Sequence, residues 1–94
     1  MAAYIVGTIA VRDQALWPRY LEGVAATFRL HGGEVLLRAA SPVPLAGRPH
    51  GERVVVARFA DMAGLRRWFD SPEYQALIPL RDAAADVVLT GYEG

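Results

Sequence analysis

Trp68-Phe69-Asp70-Ser71-Pro72-Glu73-Tyr74 is the stretch that decides the fold. Ser71 is a natural N-cap, because its hydroxyl can accept from a free backbone N–H in the first turn of a new helix. Pro72 then falls at the first helical position, where its missing N–H costs nothing and its φ is already helical. Glu73 adds a negative charge near the positive end of the helix dipole. The segment predicts one helix ending, a sharp joint, and a second helix starting, with Trp68 and Tyr74 on either side.

Working outward, Asp61 caps the helix that enters the joint through Met62, Leu65, Trp68 and Phe69. Beyond the joint, the helix from Pro72 passes through Leu77 and Leu80 to about Ala84. Pro79 lies inside it and predicts a bend or a shortening. Asp86 to Tyr92 (DVVLTGY) is the last strand, and Arg53 to Phe59 (RVVVARF) is the strand before the helices. Residues 40–52 (ASPVPLAGRPHGE), with three Pro and two Gly, form a long loop. Glu34 to Ala39 is a second strand. Ala3 to Val11 (AYIVGTIAV) is apolar and rich in β-branched residues, hence a first strand buried on both faces. Between these two strands, Leu16, Tyr20, Val24 and Phe28 recur every four residues and form one helical stripe ending at His31-Gly32-Gly33. Pro18 removes a donor near the start of this helix, so residues 13–17 form a loose turn ahead of it, capped by Asp13.

The order β-α-β-β-α-β, with the second helix in two pieces, is the α+β ferredoxin-like split βαβ arrangement in a single domain, residues 1–94. Both crossovers place their helices on one face of a four-stranded antiparallel sheet. The uncovered face is the informative one. Tyr4, Val6, Thr8 and Ala10 alternate with Ile5, Gly7, Ile9 and Val11; Val54, Val56 and Arg58 alternate with Val55, Ala57 and Phe59; Val88 and Thr90 alternate with Val87 and Leu89. Both faces are largely apolar, whereas a solvated face would be polar at every second position. The bare face is expected to pack on the sheet of a second copy in a two-fold homodimer.

Composition narrows the function classes. Ninety-four residues with 53% hydrophobic content are apolar for so small a domain, which again points to a partner surface. No apolar run approaches a membrane span, and no secretory signal pattern opens the chain, so a cytoplasmic protein without membrane contact is expected. Cysteine is absent, which excludes disulfides and thiolate chemistry. All ten basic residues are Arg and there is no Asn, the mark of a GC-rich, bacterial coding bias, and a catalytic lysine is excluded. The formal charge is +0 with no basic stripe, so nucleic acid is not an expected partner.

Several motifs, taken together, carry a family resemblance. Tyr4-Ile5 opens the first strand; Trp17 and Tyr20 share the first helix; Gly32-Gly33 precedes a strand holding Arg38. Gly47 lies in the loop before Arg53-Val54-Val55-Val56, and Trp68-Phe69-x-Ser71-Pro72-Glu73-Tyr74-Gln75 is followed by Arg81. In this order they resemble the domain of unknown function 1330 family of the dimeric α/β-barrel superfamily, over nearly the whole chain. The resemblance implies ferredoxin-like subunits whose sheets pack into a barrel. The acid that commonly precedes the loop glycine is Ala46 here. The acid common near the end of the third strand is Arg58, so the barrel is expected to hold two arginines, Arg38 and Arg58, in place of an ion pair. The superfamily also contains cofactor-free monooxygenases, lactone isomerases and haem proteins. The Trp68–Tyr74 spacing resembles a pocket-lining pair of the monooxygenases, but the Asn they use one turn earlier is Gly64 here.

Candidate chemistry is weighed against plain structural roles. Trp68 and Tyr74 stack a planar ligand, or are core aromatics whose polar tips each need one partner. Arg38 and Arg81 bind a carboxylate or phenolate, or form structural ion pairs, for instance to Asp82 or Asp86. Arg58 is an inward dimer residue or an exposed strand end. His31, at a helix end where the dipole favours a cation, has a weaker claim on acid–base or haem chemistry. His50 in the Pro/Gly loop is expected to be solvated. The two histidines have no metal spacing, and no phosphate loop, metalloprotease motif or nucleophile elbow is present. No metal and no cofactor are expected. The expected function is binding of a small aromatic or carboxylate-bearing metabolite in a cavity between sheet and helices, in an enzyme version with cofactor-free transformation by Arg38, Trp68 and Tyr74. The alternative is a non-catalytic dimerisation or ligand-sensing module.

Overall fold

Period-two alternation of apolar side chains builds four strands, and the computed structural model describes them within residues 1–94. The elements run β1 (Ala3–Val11), α1 (Trp17–His31), β2 (Glu34–Ala40), β3 (Arg53–Phe59), α2 (Met62–Asp70), α3 (Pro72–Gln75), α4 (Ile78–Ala84) and β4 (Ala85–Glu93). All neighbouring strands are antiparallel, in the order β2-β3-β1-β4. This is the expected ferredoxin-like α+β sheet.

The caps behave as their chemistry requires. The Ser71 hydroxyl accepts from the Tyr74 amide at 3.2 Å and donates to the Trp68 carbonyl at 2.7 Å, so one side chain closes α2 and opens α3. Asp61 accepts from the Gly64 amide at 2.7 Å and caps α2. Asp13 accepts from the amides of Ala15 and Leu16 in the turn before α1, and Pro18 sits in the first turn of that helix. Gly32, with φ of 77°, ends α1 in the left-handed conformation.

One prediction is corrected. The segment after Ser71 is two helices, α3 and α4, so the helical crossover has three pieces rather than two. The amides of Ala76 and Leu77 close α3 on the carbonyls of Pro72 and Tyr74. Pro79 then lies in the first turn of α4, where its missing N–H breaks no bond. It begins a helix instead of bending one.

The core is one cluster between the sheet and the helices, with Ile5, Ile9, Ala57 and Phe59 below and Trp17, Tyr20, Val24, Phe28, Leu65, Trp68 and Tyr74 above. Along β1 the buried residues are the odd ones, and Tyr4, Val6, Thr8 and Ala10 turn to the opposite face. Val6, Val54 and Val56 on that face are half-buried, while Leu37, Val88 and Tyr92 are exposed.

A β-bulge between Val35 and Leu37 decides which way Arg38 points. Val35 pairs with the inward Ala57, but Arg38 pairs with Val55, also inward, because one extra residue lies between them. Strict alternation from Val35 would have turned Arg38 to the opposite face.

Candidate functional site

The helix joint contains a closed aromatic knot. Trp68 stacks on Phe28 with centroids 4.9 Å apart and lies 4.3 Å from Tyr74. The Trp68 indole N–H donates to the Thr27 hydroxyl at 2.9 Å, and that hydroxyl donates to the Val24 carbonyl at 2.8 Å. Tyr74 is fully buried and shares a 2.9 Å hydrogen bond with the Tyr20 hydroxyl. Its oxygen also accepts from Arg81 at 3.2 Å. Every polar tip in this region has a partner.

Burial first, then the neighbouring Tyr74 phenol, holds the Tyr20 phenol well above its ordinary range, so Tyr20 stays neutral. Burial opposes the Arg81 cation, but the Tyr74 and Asp82 contacts outweigh it and raise its pKa further.

Next to the knot, a cavity of about 230 Å³ opens between α1 and the β2–β3 side of the sheet. Fourteen of its sixteen lining residues are hydrophobic, among them Ile5, Ile9, Val24 and Phe28. Trp17, Tyr20, Trp68, Arg38 and Arg53 complete its chemistry. The exposed Arg38, Ala39 and Ala40 place its mouth along edge strand β2. A second depression, between α2 and the β1–β4 side, is lined by Met62, Leu65, Arg66, Phe69 and Asp70 and has a much more polar wall.

Two lining residues of the first cavity each carry a buried donor without a partner. The indole nitrogen of Trp17, a residue only 5% exposed, and the Nε of Arg53 meet no hydrogen-bonding group of the chain. Both were missed as site residues by sequence reasoning. Arg53 opens β3 directly after the long loop and reads as a strand boundary, although it is in phase with the inward Val55, Ala57 and Phe59. Trp17, read at the end of the loose turn before Pro18 and also with Tyr20 on the first helix, is the first residue of α1.

The structure distributes the predicted residues unevenly. Trp68 and Arg38 line the cavity. Tyr74 lies behind it, with its hydroxyl already engaged, and Tyr20 is the phenol on the cavity wall. Arg81 is paired with Asp82 at 3.0 Å. His31 is paired with Glu73 at 3.0 Å across the α1 and α3 ends.

Arg58 pairs in register with Tyr4 and Glu34, so it lies on the face opposite to Arg38. The two arginines expected in place of an ion pair thus lie on opposite faces of the sheet, separated by the bulge and the strand phase. The expectation of a solvated His50 is corrected. It is half-buried, with its two ring nitrogens 2.9 Å from the Thr8 hydroxyl and 3.2 Å from Asp86, and it ties the loop to β1 and β4. Gly51 beside it, at φ of 70°, passes so close to the Ile9 carbonyl that any side chain would collide with it.

The model of a family described as a domain of unknown function (DUF1330) matches residues 2–94. No curated protein matches the sequence. Among solved structures, a protein of unknown function from Rhodopseudomonas palustris superposes with a TM-score of 0.83 at 18% identity, over 99% of this chain and 82% of that one. SnoaB, a cofactor-independent oxygenase from Streptomyces nogalater, gives a TM-score of 0.74 at 15% identity, over 99% and 92%. A dimeric ferredoxin-like protein of unknown function from Jannaschia sp. CCS1 gives 0.74 at 13% identity, over the whole of both chains. At these identities the likeness is one of fold.

Proposed function

This chain belongs to the DUF1330 family, and we propose that it is a homodimer that binds a small aromatic or carboxylate-bearing molecule in the cavity beneath α1. The observation that carries this reading is the cavity itself: about 230 Å³ of mostly apolar wall with two arginines in it. Such a combination is how proteins hold small organic ligands, with apolar area for affinity and a few polar groups for orientation. A core completed by its own side chains would have favoured a purely structural module.

Trp68 and Phe28 offer a stacked aromatic floor, and Arg38 at the mouth attracts an anion. The wall holds no carboxylate, histidine or serine, and its one phenol is held neutral. That supports binding or sensing ahead of catalysis, because no general base faces the ligand. Cofactor-free transformation remains the enzyme version, and SnoaB, a cofactor-independent oxygenase, shares the fold.

The homodimer reading rests on the apolar sheet face of Val6, Val54, Val56 and Val88, and on dimeric proteins of the same fold. Calorimetric titration with small aromatic acids and their neutral analogues tests the ligand reading. Micromolar to millimolar binding is expected, and a chain that binds none of them contradicts it. Light scattering tests the assembly, for which a stable monomer at micromolar concentration is the contrary result.

A further inference from the structure

The donor inventory of the cavity is one-sided. Indole N–H and guanidinium groups donate and cannot accept. Of the polar lining side chains, Trp17, Trp68, Arg38 and Arg53 are of this kind; the Trp68 N–H is already bonded to Thr27 and the Tyr20 hydroxyl to Tyr74. The Trp17 and Arg53 nitrogens are buried without a partner in the chain. A buried donor left unmade is costly unless an acceptor reaches it. No lining side chain carries a carboxylate that could serve as that acceptor.

From this we infer that the ligand carries a carboxylate on an aromatic or otherwise flat apolar body, and that Trp17 and Arg53 hold the carboxylate while Trp68 and Phe28 bound the apolar end. The inference rests on the cavity being a ligand site and goes further by naming the ligand's charge and the residues that read it. Trp17 and Arg53 are the specificity residues. Arg38, exposed at the mouth, steers the anion and is screened by salt. One carboxylate has two oxygens and enough lone pairs to accept from both buried donors at once. Its replacement by a neutral amide puts an NH2 donor where an acceptor is needed, which costs more than the loss of a charge alone.

The test is calorimetric titration of the full chain with benzoate and 1-naphthoate, each beside its primary amide. The acids are expected to bind at least about tenfold more tightly than the amides, the scale of one charge-assisted hydrogen bond. Arg53→Gln should erase that difference while leaving the amide affinity in place. Trp17→Phe should weaken the acids by about threefold to tenfold, again sparing the amides. Arg38→Gln should mainly alter the salt dependence.

Equal affinity of acid and amide for the unmodified chain overturns the inference and leaves the cavity reading standing, with water as the natural partner of the two donors. Failure of all four compounds to bind overturns both. The acid–amide comparison uses the unmodified chain, so it decides even if Arg53→Gln does not fold.

Discussion

The two tryptophans stand in one core yet meet opposite fates. Trp68 at the α2–α3 joint is 1% exposed, stacked on Phe28, and its N–H is satisfied by Thr27. Trp17 at the start of α1 is 5% exposed, stacked on Tyr20 at 5.4 Å, and its N–H is unsatisfied. Around Trp68 each polar group has its partner, which rigidifies the joint and fixes a single arrangement. Beside Trp17, the Nε of Arg53 is likewise without a partner in the chain. The difference separates a finished region from an unfinished one: the joint is completed by the chain itself, and the α1 end leaves two buried donors without a partner in the chain.

Substitutions can break or sharpen this contrast. The largest effect is expected from Trp68→Ala, which empties the centre of the knot and should cost about 3–5 kcal/mol in urea-induced unfolding. A loss below about 1 kcal/mol would mean that the joint is not the structural centre. Thr27→Val turns Trp68 into a second unpartnered indole. It should cost about 1–3 kcal/mol, because a buried donor loses its only acceptor, and an unchanged midpoint would show that the Thr27 bond is not formed.

Tyr20 supplies a pH signature. Its folded pKa is raised above the ordinary value of 10.0, so its contribution to stability is complete below about pH 10 and is lost as pH rises above it. The denaturation midpoint should fall from pH 10 upward, and Tyr20→Phe should flatten that fall; identical alkaline profiles would contradict the burial of this phenol. The smallest effect belongs to Trp17→Phe. No hydrogen bond within the chain is lost, so stability should change by less than about 1 kcal/mol, while a loss as large as that of Trp68→Ala would erase the distinction between the two residues.

Much of the fold was legible because local chemistry and global arrangement agree. Ser71 and Pro72 mark the joint through capping geometry alone, and alternation in β1, β3 and β4 defines two apolar faces. Less legible was anything that depends on phase across an interruption. The bulge after Val35 rotates Arg38 to the inner face, and no residue of that stretch announces it. Pro79 reads as a breaker within a helix because the turn at Ala76–Leu77 is made by backbone hydrogen bonds, which leave little trace in side-chain chemistry.

The candidate site was harder still. Trp68 and Tyr74 attract attention as a pair, but their polar atoms are used up internally. Trp17 and Arg53 are far apart in the chain and each lies at an element boundary, where periodicity is weakest. A sequence can show that a residue is polar and inward, yet whether it finds a partner depends on the packed structure.

The two indoles also provide the most direct test. In a ¹⁵N-labelled sample each tryptophan gives one indole N–H resonance, assigned with Trp17→Phe and Trp68→Phe. Titration with 1-naphthoate should move the Trp17 resonance progressively and shift that of Trp68 far less, because only Trp17 has a hydrogen bond left to make. A shift of the Trp68 indole with Trp17 unmoved, or no shift in either at millimolar naphthoate, would contradict the account.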